Sequence, residues 1–499
     1  MGLLKDAYQD YFKMGNIYTP KDPGTKKGEA IARHFDIITP ENIMKPALMQ
    51  PKKEEYLFDL ADGMFEFAKA KHLEVAGHTL VWHQQSLKWL EDHASTREEA
   101  IAFMKKHMET VMGRYKGQIA AWDVVNEAIK DDIRTDTSNW REHLRESKWL
   151  RLIGDDYIKI AFELAHEIDQ EAVLYYNDYN LNYSNKAEAT YYMVKELREA
   201  GVPIHGIGMQ GHYHTNTPLS TVENSIQLFS KIPGIKLSFT ELDITVTGSE
   251  KNEELTEEQS ILQAQKYAGF FQLFKSHSRL IERVTFWGFD DASSWRGDRF
   301  PNLWNHDLSP KHSFEAVMDP EGFLAKYPPA APTGPKQAVA GFNAWGEAFE
   351  ASLQTTAWEG ATATAMAKYN DGALTLKVDV HANQVHANDY VTVYLDLLGN
   401  KSETYGADDF HFTVTSENIV EFHGQSLDGL KTSTQMTGSG YEVQLEIPLS
   451  QVEKGQVIGL ELQVKDCDPD GFTQSVAKWN DASGDSYKTT ANFGEIILG

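Results

Sequence analysis

The chain has 499 residues, enough for two or three domains, or for one barrel followed by a further unit. At 41 % hydrophobic and 24 % charged residues it is not a disordered chain, and no apolar run approaches the roughly 18 residues needed to cross a bilayer. The 73 acidic against 47 basic residues give a net charge of −26, which repels phosphate backbones and anionic lipid and leaves a neutral or cationic partner.

The single cysteine, Cys467, excludes an internal disulfide and any zinc site that needs two thiolates. The opening MGLLKD lacks the basic, apolar and small-residue regions of a signal peptide, so the expectation is a cytoplasmic protein or a mature form without its leader. In chain order, eight short apolar runs follow: 14–19, 35–44, 73–82, 119–128, 172–180, 204–214, 235–244 and 283–291. Helical periodicity lies between them. Ile101, Met104, Met108, Val111, Met112 and Tyr115 recur at steps of three and four. Eight strands alternating with helices predict an α/β fold, a (β/α)₈ TIM barrel over residues 1–326. A doubly wound open sheet is the alternative, weakened because no glycine-rich phosphate loop follows any of the runs. Residues 327–335, YPPAAPTGP, hold four of the 17 prolines and predict an extended linker over 327–338. Beyond it, alternating runs at 373–382, 389–398, 409–416, 441–450 and 457–466, separated by turn residues, predict an all-β sandwich over 339–499.

Polar and aromatic residues cluster at the end of each barrel run, and the C-terminal ends of barrel strands share one face. Glu127 ends the fourth run and Glu241 the seventh. On such a barrel the two carboxylates face each other across the mouth. A pair about 5–5.5 Å apart cleaves a glycosidic bond with retention, one protonated as acid and one ionised as nucleophile.

WDVVNEA around Glu127 and TELD around Glu241 resemble the two signatures of glycoside hydrolase family 10, the retaining β-1,4-xylanases. ITPENIMKP (38–46), GHTLVWH (77–83), NDYN (177–180), GMQGH (208–212) and TFWGFDDASSW (285–295) resemble the family's other motifs, in order, over roughly residues 3–326. The resemblance implies the barrel fold and catalysis without a cofactor. It makes Glu127 the acid/base and Glu241 the nucleophile, with Asn126 on the 2-hydroxyl of the attacked sugar. His212 and Asp243 become the pair that orients Glu241. Glu41, Asn42 and Lys45 match residues that bind the non-reducing sugars; His78, Trp82 and Gln210 match those around the attacked sugar. Trp287 and Trp295 match the aromatic walls, since sugar rings offer apolar C–H faces to such rings. His83 is a further candidate, or a buried histidine that positions its neighbours. A metal pair is the competing reading of His212-x-His214. The segment QQSLKWL after His83 departs from the family's usual run and leaves branch preference open. The implied partners are xylan and xylooligosaccharides, with no nucleic acid and no membrane. A polymeric substrate suggests a secreted enzyme, with the cytoplasm as the alternative. Action mainly on β-1,4-glucan, and a non-catalytic sugar binder on a hydrolase barrel, are the other readings.

YGADDFHF (405–412) and the ending SVAKWNDASGDSYKTTANFGEIIL (475–498) resemble family 9 carbohydrate-binding modules. That implies a sandwich in which Trp479 stacks on a sugar, binding to cellulose or to sugar-chain ends, and structural calcium. Trp345 and Trp358 have no assigned role, and a sandwich that only packs is the plain alternative. DCDPDG (466–471) imitates the start of a calcium loop, but Ala477 stands where such a loop needs Glu, so a hairpin turn is expected there.

Overall fold

The computed structural model describes residues 2–499 apart from 134–135, 248–250, 330–334, 354–359, 403, 451, 468–472, 482–485 and 488. The described residues divide into two compact units, one ending at Pro329 and the other taken up again at Pro335.

The first unit is a closed barrel of eight parallel strands: β1 (Lys13–Tyr18), β2 (Ile37–Pro40), β3 (Glu74–Trp82), β4 (Ala121–Asn126), β5 (Val173–Asp178), β6 (Gly206–Met209), β7 (Lys236–Thr245) and β8 (Ile281–Phe286). β8 returns to β1 with Lys13 opposite Arg283 and Asn16 opposite Phe286, which closes the ring. Each strand falls within two residues of an apolar run or inside it. The run at 204–214 differs, because it breaks at Gln210–Gly211. Gly211 takes φ +82°, and a short strand, His212–His214, resumes beside β7 with His212 opposite Asp243. Helices return the chain between strands. Arg97–Arg114 begins at a capping box in which Thr96 and Glu99 each bond the other's backbone N–H, and it buries Met104, Met108, Val111 and Met112 as its periodicity requires.

Two glycines let large side chains fill the barrel interior. A Cβ on Gly77 would lie 2.3 Å from the Trp122 ring, and one on Gly208 would lie 2.4 Å from Asn177 Oδ1. The second of these clears the space in which Asn177 reaches the site described below.

The second unit is built of β-strands from Gln337–Phe342 to Gly494–Leu498. The expected linker therefore ends early: Gln337 and Ala338 already belong to a strand, and residues 330–334 lie outside the described residues. Nearly all pairings are antiparallel, with Gln337–Phe342 the exception. It runs parallel to Gly494–Leu498 and to Lys368–Tyr369. Thr362–Asn370 alternates buried and half-buried side chains, with Ala363, Ala365, Ala367 and Tyr369 inward. The strands join through Phe349–Leu353 into one continuous sheet around a core containing Leu376, Val378, Val393, Phe412, Tyr441, Leu460 and Trp479.

Trp479 corrects an expectation. It is 2 % exposed and packs on Phe349 with ring centroids 4.5 Å apart. Gly494 lies so close that a Cβ there would sit 2.8 Å from the indole. The ring is buried in the core and is not presented to a sugar. Of the other tryptophans, Trp345 is 37 % exposed under the Lys368 ammonium, 4.6 Å from its ring, and Trp358 lies outside the described residues. The expected turn at DCDPDG also falls largely outside them, although Asp466 and Cys467 end the strand Val457–Cys467. Trp479→Ala is expected to destabilise the second unit by about 3–5 kcal/mol, the cost of emptying a large aromatic site. Chemical denaturation of the full chain measures it; a change within ~0.5 kcal/mol would mark a surface ring instead.

Candidate active site

Glu127 follows the last residue of β4 and is 8 % exposed. Its backbone has φ +57°, the left-handed region, which costs a non-glycine residue on the order of 1 kcal/mol and persists only where surroundings enforce it. Its carboxylate meets mostly neutral donors. Trp82 Nε1 donates to Oε2 at 2.8 Å and Gln210 Nε2 to Oε1 at 2.9 Å. Asn126 Nδ2 lies 3.3 Å from Oε1, and His83 Nδ1 is 3.9 Å from Oε2. Burial, reinforced by the negative charge of Asp178, raises the Glu127 pKa above the ordinary carboxylate value and outweighs these hydrogen bonds.

Glu241, in β7, is buried just as deeply, and burial alone would raise its pKa too. Its partners reverse the sign. His212 Nε2 lies 3.2 Å from Oε2, and Asn177 Nδ2 donates to Oε1 at 3.0 Å. The hydrogen bond from His212, then the electrostatic influence of His78 and of His212, then the bond from Asn177 bring the carboxyl below its usual range. His212 itself is desolvated, yet Asp243, 3.1 Å from Nδ1, together with Glu241 raises it to about 9, so it is an imidazolium at neutral pH. Asp243 is fixed by Arg296 Nη1 at 2.5 Å and by Trp295 Nε1 at 3.2 Å. Amide side chains join the two carboxylates: Gln210 and Asn126 on Glu127, and Asn177 bridging Asn126 Oδ1, at 2.9 Å, to Glu241. The pair is thus brought together with their pKa values displaced in opposite directions, Glu127 upward and Glu241 downward.

The other expected residues surround this pair. Lys45 donates to Asn42 Oδ1 at 2.8 Å and holds its ammonium 5.1 Å from the Trp82 ring centroid. Burial lowers the Lys45 pKa against the raising influence of Glu241, Glu41 and Glu127, and burial raises that of Glu41 against Lys45. His78 Nδ1 is 2.9 Å from Asp123 Oδ2, with its ring edge on Trp287 at 5.4 Å. Trp287 is 6 % exposed, whereas Trp295 is 61 % exposed and meets His212 edge-on at 5.2 Å. Burial takes His83 down to about 4, so it is neutral beside Glu127. In the His212-x-His214 pair, His214 Nδ1 accepts the Asn216 N–H while both His212 nitrogens face carboxylates, an arrangement for proton placement rather than for a metal.

The profile of glycosyl hydrolase family 10 matches residues 3–320, more than half of the chain. The chain belongs to this family. Residues 342–499 match the carbohydrate family 9 binding domain-like profile. Exoglucanase XynX of Acetivibrio thermocellus is 32 % identical over 99 % of this chain and 46 % of its own length. Endo-1,4-beta-xylanase A of Thermoanaerobacterium saccharolyticum is 32 % identical over 99 % of this chain and 43 % of its own. The chain therefore spans just under half the length of these curated relatives. Among solved structures, an endo-1,4-beta-xylanase from Caldicellulosiruptor owensensis is 37 % identical with TM-score 0.61, covering 64 % of this chain and 100 % of that one.

Sequence reasoning left out three residues that hold this family 10 site in place: Asn177, Asp123 and Arg296. Asn177 was visible as a polar strand end but had no role; it bonds Glu241. Asp123 sits inside an apolar run, where a carboxylate needs a partner. It has two, His78 and Arg283, the latter at 3.5 Å. Arg296 directly follows Trp295 and carried no signal of its own. His212 yields a pH prediction. Its pKa is about 6.5 unfolded and about 9 folded, so its stabilising contribution is complete below pH 6.5 and is lost as pH rises through 9. The denaturation midpoint is expected to fall across that window, and His212→Asn to flatten the fall. Equal slopes in both proteins would contradict the imidazolium.

Proposed function

We propose that this protein is an endo-β-1,4-xylanase that cleaves internal xylosidic bonds with retention through a covalent Glu241 intermediate. The observation that carries the reading is two buried glutamates linked through amide side chains, whose surroundings push one carboxyl up and the other down. Glu241 attacks the anomeric carbon while Glu127 gives its proton to the leaving oxygen. Glu127 then takes a proton from water, which attacks the glycosyl–enzyme and frees Glu241. Asn126, which donates its amide beside the acid, is placed by this reading on the sugar 2-hydroxyl, where a bond strengthens as positive charge develops on the ring. Glu41, Asn42 and Lys45 hold the non-reducing sugars, and Trp287 and Trp295 wall the cleft. Membership of the family and the xylanases among the similar proteins support the substrate. Export follows from a polymer too large to enter a cell. Because one similar protein is named an exoglucanase, β-1,4-glucan is the second substrate to test. Mass analysis of products from xylan and from carboxymethyl cellulose separates the two. A ladder of xylooligosaccharides from xylan alone is expected; release from cellulose alone would overturn the substrate. Glu127→Ala is expected to lower turnover of xylan by at least about 10²-fold, and of dinitrophenyl xylobioside far less in the glycosylation step. Equal loss on both would remove Glu127 as the acid.

For the second unit, carbohydrate binding is proposed from its match to the family 9 profile, without Trp479. Calcium is proposed at Asp396, Asp408 and Asp409, whose ligand oxygens lie within 4.8 Å of one another. Hard carboxylate oxygens suit that ion, and Asp409 Oδ1 is buried with no hydrogen-bond partner. Asp389 and Asp466 form a second cluster, but with His386, a poorer match to an oxygen-seeking cation. Calcium is expected to raise the melting temperature of the full chain, a chelator to lower it, and Asp409→Asn to abolish the response. A melting temperature indifferent to calcium would remove the proposal.

A further inference from the structure

Behind Glu127 lies a buried layer of charge that the double displacement does not itself use. Asp178, the last residue of β5, is fully buried and accepts a hydrogen bond from the Tyr176 hydroxyl at 2.5 Å. Lys186, in the helix Ser184–Glu199, is 1 % exposed, with Nζ 2.9 Å from Asp178 Oδ1 and 2.8 Å from Asp131 Oδ1. The Tyr176 hydroxyl also accepts the N–H groups of Ala128 and Ile129, each at 3.1 Å. These are the two peptide groups that follow Glu127. Its own N–H donates to Asn177 O at 2.8 Å, and its carbonyl accepts from Arg145 Nε at 3.2 Å. A phenolic hydroxyl has one proton and two acceptor positions. Asp178 accepts that proton in a hydrogen bond, which leaves both acceptor positions of Tyr176 for the backbone beside Glu127; burial raises the Asp178 carboxyl, and the Lys186 ammonium and the Tyr176 bond oppose that rise.

We propose that Asp178, countercharged by Lys186 and acting through the Tyr176 hydroxyl, is a positioning residue for the acid: it fixes the left-handed backbone at Glu127 and sets negative charge behind its carboxyl. This rests on the reading of Glu127 as acid/base. The groups facing Glu127 are the Trp82 indole and His83 from the end of β3, Lys45 from the segment after β2, Gln210 after β6 and Glu241 from β7. Those facing Asp178 are Lys186, Tyr176, Arg145, Tyr157, Tyr179 and Glu127 itself. After burial, the charge of Asp178 is the strongest influence raising Glu127, ahead of Glu241. Replacing it with a neutral amide leaves the Lys186 ammonium with Asp131 alone, so both changes move Glu127 in one direction, toward easier ionisation.

The test compares kcat/KM against pH on xylohexaose and on dinitrophenyl xylobioside, whose phenolate leaves without a proton. Asp178→Asn is expected to shift the alkaline limb on xylohexaose about one pH unit lower, roughly a tenfold loss on that limb. The dinitrophenyl profile is expected to hold its shape. Tyr176→Phe removes only the hydroxyl. It is expected to lower turnover of xylohexaose about tenfold at unchanged KM, with a smaller loss on the activated substrate. An unshifted limb in Asp178→Asn, or parallel loss on both substrates in the two variants, would overturn the positioning role. If the unmodified protein hydrolyses neither substrate, the activity reading falls first and takes this one with it.

Discussion

The hydrogen bond between His212 and Glu241 is the interaction on which the chemistry depends. Both glutamates are desolvated, and desolvation pushes every carboxyl toward its neutral form. Two buried carboxyls with the same partners would tend to protonate together, and neither would attack. The asymmetry is imported along a line of alternating charge, from Arg296 to Asp243 to His212 to Glu241. Each member needs the one before it. Without Arg296, Asp243 would be a buried carboxylate with one fewer cation; without Asp243, His212 would lose the largest influence that opposes its desolvation. Glu127 receives no such line: indole and amide donors hold its geometry but do not outweigh its desolvation.

The barrel converts sequence distance into this contact. Glu127 and Glu241 lie more than a hundred positions apart, yet both stand at the same end of a closed parallel sheet. Asn177, from β5, reaches one residue on β4 and one on β7. It does so because β6, which lies between β5 and β7, carries Gly208 at the level of Asn177, where any side chain would collide with the amide. A position without chemistry of its own is thereby part of the site's geometry.

Much of this was legible in the sequence for a physical reason. Barrel strands are buried on both faces, so they appear as continuous apolar runs, and each run is terminated by the polar residues that face the cleft. Strand order and both glutamates follow from that signal, with the motifs supplying their roles. What stayed hidden were partners defined by three-dimensional neighbours: Arg296, Lys186 and the contact between Asp123 and His78. In the second unit, Thr362–Asn370 was not read as a strand because alanine has weak β propensity. Pairing with Ala373–His381 overrides it, and Ala363, Ala365 and Ala367 pack inward where larger residues would crowd the core. Trp479 failed for the opposite reason. A tryptophan in a suggestive motif looks the same whether its faces meet sugar or protein, and only burial tells them apart. Trp295 is the reverse case: its ring is open while its indole N–H is fixed on Asp243.

The backbone at Glu127 completes the contrast between local preference and imposed geometry. Among the described residues, positive φ outside glycine occurs mostly at loop positions of half-buried or exposed residues such as Gln85, Asn343 and Asn418, where little opposes it. Glu127 adopts it while buried, directly after a strand, at a residue type that does not favour it. Relaxing to an extended conformation would give up bonds to Asn177 O, from Arg145, and to the Tyr176 hydroxyl through the next two peptides. Several buried hydrogen bonds at about 1 kcal/mol each exceed the conformational cost. The surrounding network therefore over-determines the strained geometry, and it does so at the residue proposed as the acid.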